Sequence, residues 1–293
     1  MAATPSSRSL LRLGVVGVGQ RGTARAEAIA ARDEVALVGV TDADPPRAAA
    51  AANRHGTTAY RSAAALLADC DAVCIAAPTR DHFLIAEAAA KDGRHVFLEW
   101  PATTSVAECE RLVALSEEAG VDIGVAHPLP IAPLLASRPA GWRPRFVALD
   151  LPARGLSWPF LMAGALDLAA ALARSADVPR LDAEADRRGA LLDTVGATLR
   201  FRAGTLVHLL LGAAASSTRL FVAGRDQRAT LTRLDAALDF GTAAPVRASS
   251  VPGNRDGFGG FLDALAAGRP VPRTALDALH TMRLTERLLA KLR

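Results

Sequence analysis

Leu11–Gly22 reads LRLGVVGVGQRG, a short β-branched apolar run that closes on Gly17-Val18-Gly19-Gln20-Arg21-Gly22. A helix-like stretch, Thr23–Ala31, follows directly. Strand, glycine turn and helix are the context that a GxGxxG needs to hold a dinucleotide. Gly17 allows the tight turn, Gly19 lets a pyrophosphate approach the backbone, and Gly22 lets helix and strand pack closely. The helix N-terminus offers free N–H groups and a positive dipole end to the phosphates.

A second strand, Val35–Val40, ends at Thr41-Asp42, and Asp42 lies 20 residues beyond Gly22. A carboxylate there accepts hydrogen bonds from ribose hydroxyls and repels a 2′-phosphate, so NAD(H) is favoured. Arg47 leaves NADP(H) open, and a helix cap before Pro45-Pro46 is the other use of Asp42. The alternation goes on through helices at Pro45–Arg54, Ser62–Ala68, Asp81–Lys91 and Ser105–Ala119, and strands at Asp71–Ala76, His95–Glu99 and Val121–Ala126. Ser105 and Glu108 have the spacing of a capping box. Alternating strands and helices predict an α/β fold with a doubly wound parallel sheet. Farther on, Phe146–Leu151, Ala190–Phe201, Thr205–Gly212, Arg219–Ala223 and Ala229–Leu234 read as strands, with Ala203-Gly204 as a hairpin turn.

Composition narrows the partners. The chain has 293 residues, 51% hydrophobic and 22% charged, enough for two domains with their own cores. The net charge of +4 is spread along the chain with few aromatics between, which argues against nucleic acid. Three cysteines give neither a disulfide framework nor a metal cluster, so a reducing cytoplasm is expected and no metal is assigned. No segment resembles a leader or a membrane helix.

With these pieces in place, the chain resembles the glucose–fructose oxidoreductase/inositol dehydrogenase (Gfo/Idh/MocA) family. GVVGVGQRG, the Ala77-Pro78-Thr79 turn followed by His82, and Gly93–Pro101 (GRHVFLEWP) carry the likeness, which resumes at Phe258–Arg293. It implies a Rossmann domain, residues 1–126, and an α/β domain, residues 127–293, built on an open, mostly antiparallel sheet. Closing helices would pack back toward the first domain, and the sheet would join a homo-oligomer, a dimer or tetramer. It implies an NAD(P)-dependent oxidoreductase acting on a small-molecule carbonyl or imine. Cofactor contacts fall on Gly17, Gly19, Gln20, Arg21, Gly22, Asp42, Ala77, Pro78, Thr79, His82, Glu99 and Trp100.

Dehydrogenases of the family use the lysine of a Glu-Lys-Pro motif, a later aspartate and a nearby histidine. Here the motif reads Glu99-Trp100-Pro101, and Gly164-Ala165-Leu166-Asp167, at the start of an apolar helix, keeps the aspartate but has glycine for the histidine. Tryptophan cannot act as a cationic acid. Lys91 and Lys291, the chain's only lysines, lie in the wrong contexts to substitute. A carbonyl needs a proton donor, whereas an iminium already carries its charge. His127, directly after the strand Val121–Ala126, is the candidate replacement acid; Asp167 is a group to orient a proton, bind substrate or itself replace the acid; and Trp100 is a wall of the nicotinamide pocket. A strand-capping histidine and a helix-surface carboxylate are the plainer uses of the first two. The alternative function is a family-derived protein without net redox activity: a cyclase, isomerase or lyase that uses NAD, or an inactive binding partner.

Overall fold

The computed structural model describes residues 10–139, 141–153, 155–225, 227–234 and 256–293. Residues 1–9, part of the opening stretch in which no leader is expected, lie outside that set. The chain divides into two compact units, residues 1–126 with 258–275 and residues 127–257 with 276–293.

The first unit alternates β1 (Leu11–Val16), α1 (Gln20–Ala30), β2 (Val35–Thr41), α2 (Pro45–His55), β3 (Thr58–Ala59), α3 (Ala63–Leu67), β4 (Ala72–Ile75), α4 (Thr79–Lys91), β5 (His95–Leu98), α5 (Val106–Ala119) and β6 (Ile123–Val125). Its six strands form one parallel sheet in the order β3-β2-β1-β4-β5-β6. Register decides where the site lies. Val16 pairs with Thr41 on one side and Ile75 on the other, and Ile75 with Leu98. Gly17, Asp42, the Ala76-Ala77 turn and Glu99 therefore leave the carboxyl edge side by side, where ligands of doubly wound sheets bind. Helix starts follow local chemistry. The Asp44 side chain caps α2 ahead of Pro45-Pro46, and the Ser105 hydroxyl accepts the Glu108 N–H at α5. The Glu108 carboxylate reaches back to the Thr104 N–H and hydroxyl rather than to the cap residue itself.

The second unit holds α6 (Ala132–Ala136), β7 (Phe146–Leu151), α7 (Trp158–Ala173), β8 (Arg180–Arg188), β9 (Leu191–Arg200), β10 (Leu206–Gly212), β11 (Arg219–Ala223) and β12 (Arg228–Leu231). Helix α8 (Phe258–Ala267) belongs to the first unit, and α9 (Ala275–Lys291) lies in the second from Leu276 onward. The second sheet runs β12-β11-β7-β10-β9-β8, antiparallel except where β10 meets β7. Its inward residues, among them Val147, Leu149, Val207 and Val222, pack with Leu166, Leu168 and Leu172 of α7 and Leu284 and Leu288 of α9.

One expectation needs correction. Asp167 lies at the tenth position of α7, deep in the helix and 2% exposed, not at its start. Trp158 and Phe160 lie in the first turn of α7. The proline-rich stretch after His127 contains α6, with Pro133 where a helix accepts proline.

Candidate functional site

At the β1–α1 turn, Gly17 adopts φ +85°, and a Cβ there would stand 2.7 Å from the Ala77 nitrogen. At Gly22 a Cβ would fall 1.7 Å from the Gly17 carbonyl oxygen. Both glycines are thus required by close backbone approach. At Gly19 a Cβ would meet nothing within 4 Å, so the turn opens there onto free space. No side chain caps α1, and no acid lies in its first turn. Gln20 and Arg21 are exposed beside that opening. These features fit a dinucleotide pyrophosphate at the α1 N-terminus.

Asp42 is prepared in advance. Its Oδ2 accepts the Val18 N–H at 2.8 Å and its Oδ1 the Asp44 N–H at 2.9 Å, with Arg47 at 3.5 Å. The carboxylate is thus fixed at the end of β2. Pro78 caps α4 and Thr79 begins it. His82, buried on the next turn, sets Nε2 2.9 Å from the Ala77 carbonyl and Nδ1 3.0 Å from the Pro101 carbonyl. It ties the turn after β4 to the segment after β5, so its ring serves the protein backbone.

Glu99 is buried and held from two sides. Its Oε1 accepts Arg25 Nε at 2.6 Å and its Oε2 Arg21 Nη1 at 2.8 Å. The Arg25 guanidinium also lies over Phe97 and Phe258, 5.4 and 4.9 Å from their centroids. Arg25 escaped the sequence reading. An arginine one turn into α1, facing inward among alanines, was the available signal. Trp100 is 8% exposed, and the Arg273 guanidinium stands 5.8 Å from its ring.

The second unit brings two candidates together. His127 Nδ1 lies 2.6 Å from Asp167 Oδ2, both side chains buried. A carboxylate oxygen can only accept, so Nδ1–H donates and Nε2 is the ring atom left for chemistry. The His127 N–H donates to the Asp256 carbonyl at 2.8 Å. Asp167 Oδ1 also accepts the Thr281 hydroxyl at 3.2 Å. At Gly164 a Cβ would stand 2.5 Å from Leu129 Cγ, so a histidine there would have to displace the Leu129 side chain. Arg138 donates to the Ala171 carbonyl of α7, and burial lowers its pKa.

A family model described as an NAD-binding Rossmann-fold oxidoreductase matches residues 11–127. UDP-N-acetylglucosamine 3-dehydrogenase from Acidithiobacillus ferrooxidans is 29% identical, over 89% of this chain and 90% of that one. This chain belongs to the Gfo/Idh/MocA oxidoreductase family. Crystals of that Acidithiobacillus enzyme give a TM-score of 0.82 at 25% identity, over 97% of this chain and 98% of the other. dTDP-3,4-didehydro-2,6-dideoxy-alpha-D-glucose 3-reductase from Streptomyces antibioticus is 37% identical over 40% of this chain and 36% of its own. The family is one of NAD-dependent oxidoreductases, and the first unit is its NAD-binding domain. Among the described residues, no helix is long and apolar enough to cross a membrane, and no group of three or more His, Cys, Asp or Glu could hold a metal ion.

Proposed function

We propose that this protein is an NAD-dependent dehydrogenase that interconverts a secondary alcohol and a ketone on a small molecule. In this reading the His127–Asp167 pair moves the proton that a lysine moves in related enzymes. The observation that carries it is the buried 2.6 Å contact of His127 Nδ1 with Asp167 Oδ2. Bound NAD supplies the hydride acceptor. Asp167 fixes the imidazole tautomer and stabilises the imidazolium, so Nε2 can take a hydroxyl proton and return it to a ketone. An iminium would not need that pair, so the geometry favours the carbonyl over the imine. Gly17, Gly19, Gln20, Arg21, Gly22, Asp42, Ala77, Pro78 and Thr79 are assigned to the cofactor, with His82 and Glu99 bracing them. Trp100 is assigned to the nicotinamide wall, with an indole where a lysine would be a direct acid.

A nucleoside-diphosphate sugar is the first substrate class to test, since the relative matched over most of its length is named for oxidising UDP-N-acetylglucosamine. Purified protein with NAD and UDP-N-acetylglucosamine, myo-inositol or other polyols is expected to raise absorbance at the nicotinamide band. NADH with the corresponding ketones is expected to lower it. Tight NADH binding without turnover of any alcohol, ketone or imine would instead support a non-redox or binding role. NAD is favoured over NADP on Asp42. A cytoplasmic homo-oligomer joined through the second sheet is proposed, and sedimentation at equilibrium checks it.

A further inference from the structure

The C-terminal helix α9 buries an apolar face made of Leu284 and Leu288, and Leu292 just beyond its end packs into the same core. Thr281 shares the burial, at 1% exposure, and its hydroxyl is not aimed at other apolar groups. Oγ1 lies 3.0 Å from the Asp277 carbonyl one turn back and 3.2 Å from Asp167 Oδ1. The first contact is open to any helical threonine and would satisfy the hydroxyl by itself. The second reaches across 114 residues to a buried carboxylate. One hydroxyl proton faces two acceptors, and the ionised one binds it more strongly.

The terminal torsion of aspartate is broad and nearly two-fold, so a carboxylate held at one oxygen can swing or flip. Asp167 is held at both, Oδ2 by His127 Nδ1–H and Oδ1 by the Thr281 hydroxyl. We propose that Thr281 is a positioning residue, which locks the Asp167 carboxylate so that His127 keeps its proton on Nδ1 and its lone pair on Nε2. The chain Thr281–Asp167–His127 then acts as one hydrogen-bonded unit, with its hydroxyl end built into the closing helix. Thr285 supports it from the next turn by donating to the Thr281 carbonyl at 2.8 Å.

This proposal rests on the dyad reading, and its test must separate the two. The substrate-free readout is the low-field proton resonance of His127 Nδ1–H in the full-length protein with NADH, assigned by its loss in His127→Asn. In Thr281→Val, nearly isosteric but without a donor, exchange of that proton with water is expected to quicken about tenfold, as for one lost charge-assisted hydrogen bond. Thr281→Ala, kept as a second variant should the first fold poorly, is expected to do the same. Thr281→Ser is expected to restore the slow exchange. On any alcohol that is turned over, kcat should fall in Thr281→Val with KM unchanged. Slow exchange in both hydroxyl-free variants would overturn the positioning role while leaving the dyad intact. Absence of the resonance from the parent protein would overturn both.

Discussion

Replacing Glu99 by Gln tests what the carboxylate after β5 does. The change keeps the shape and removes the charge that faces Arg25. Both side chains of that pair are 4% exposed, whereas Arg21, on the other oxygen, is 55% exposed. Breaking a buried pair from one side costs about 3–5 kcal/mol, because the remaining charge is stranded in a medium that solvates it poorly. Phe97 and Phe258 still face the Arg25 cation, and each such contact is worth about 0.5–2 kcal/mol. The expected cost of Glu99→Gln is therefore near the lower end, about 3 kcal/mol. Arg21→Ala should cost about 0–1 kcal/mol, as for other exposed ion pairs. Adding Arg25→Met to Glu99→Gln should recover part of the loss, since an apolar side chain no longer strands a charge. Urea unfolding checks this in a Trp142→Phe/Trp158→Phe background, where Trp100 is the remaining tryptophan and reports on the first unit. Were Glu99→Gln to cost no more than Arg21→Ala, the buried pair would not be what holds α1 to β5.

Asp167→Asn and His127→Asn are each expected to lower kcat by about 10²–10⁴, the usual share of positioned acid–base groups, with NADH affinity unchanged; steady-state kinetics and NADH fluorescence separate the two. Gly22→Ala sets a Cβ 1.7 Å from the Gly17 carbonyl, so the turn must open and NADH affinity should fall at least about tenfold by calorimetry. Burial pushes the Cys70 thiol up to about 11, with Arg94 opposing in part. The unfolded chain then loses this proton first as pH rises, so folding stability is full below about pH 8.5 and declines toward pH 11. Cys70→Ala should flatten that decline in urea midpoints measured across the range.

Backbone rules were legible in the sequence because they are local. The strand–glycine–helix order, the Ser105 cap and the hairpin at Gly204 depend on neighbours a few positions apart, whereas the cap of α2 is Asp44 and not Asp42, the residue offered for it. The site's pairings were not, because they join distant residues: Arg25 and Glu99 are 74 apart, His127 and Asp167 40 apart. His127 and Asp167 were each singled out, yet nothing in their spacing says that they touch. Strand β8, RLDAEADRR, was passed over for its charge, although Leu181, Ala183 and Ala185 alternate with acids at a period of two. Asp167 was set at a helix start with the family motif, whereas it lies deep inside α7. Burial is tolerable there because His127 and the Thr281 hydroxyl both donate to it.

Acceptor capacity at the carboxyl edge differs among the motif residues. An ionised carboxylate has about four acceptor positions. On Asp42, the Val18 and Asp44 amides take one on each oxygen and Arg47 lies 3.5 Å from Oδ1, which fixes its orientation and leaves acceptor capacity on Oδ2. Glu99 is different. Its oxygens face two guanidinium groups, one of them buried, so its charge is spent on holding α1 against β5. His82 likewise turns both ring nitrogens to backbone carbonyls. The motif residues therefore divide by role: Asp42 stays open to a ligand, whereas Glu99 and His82 stiffen the loops around it. Stiff loops matter for the proposed cofactor site because backbone amides, which cannot reach out as side chains can, are the groups assigned to the pyrophosphate. The same division explains how the position after Glu99 can hold an indole without loss of the binding frame. The frame depends on Glu99 and the glycines, and the proton chemistry is assigned elsewhere, to a histidine that a buried aspartate and a threonine hold in place.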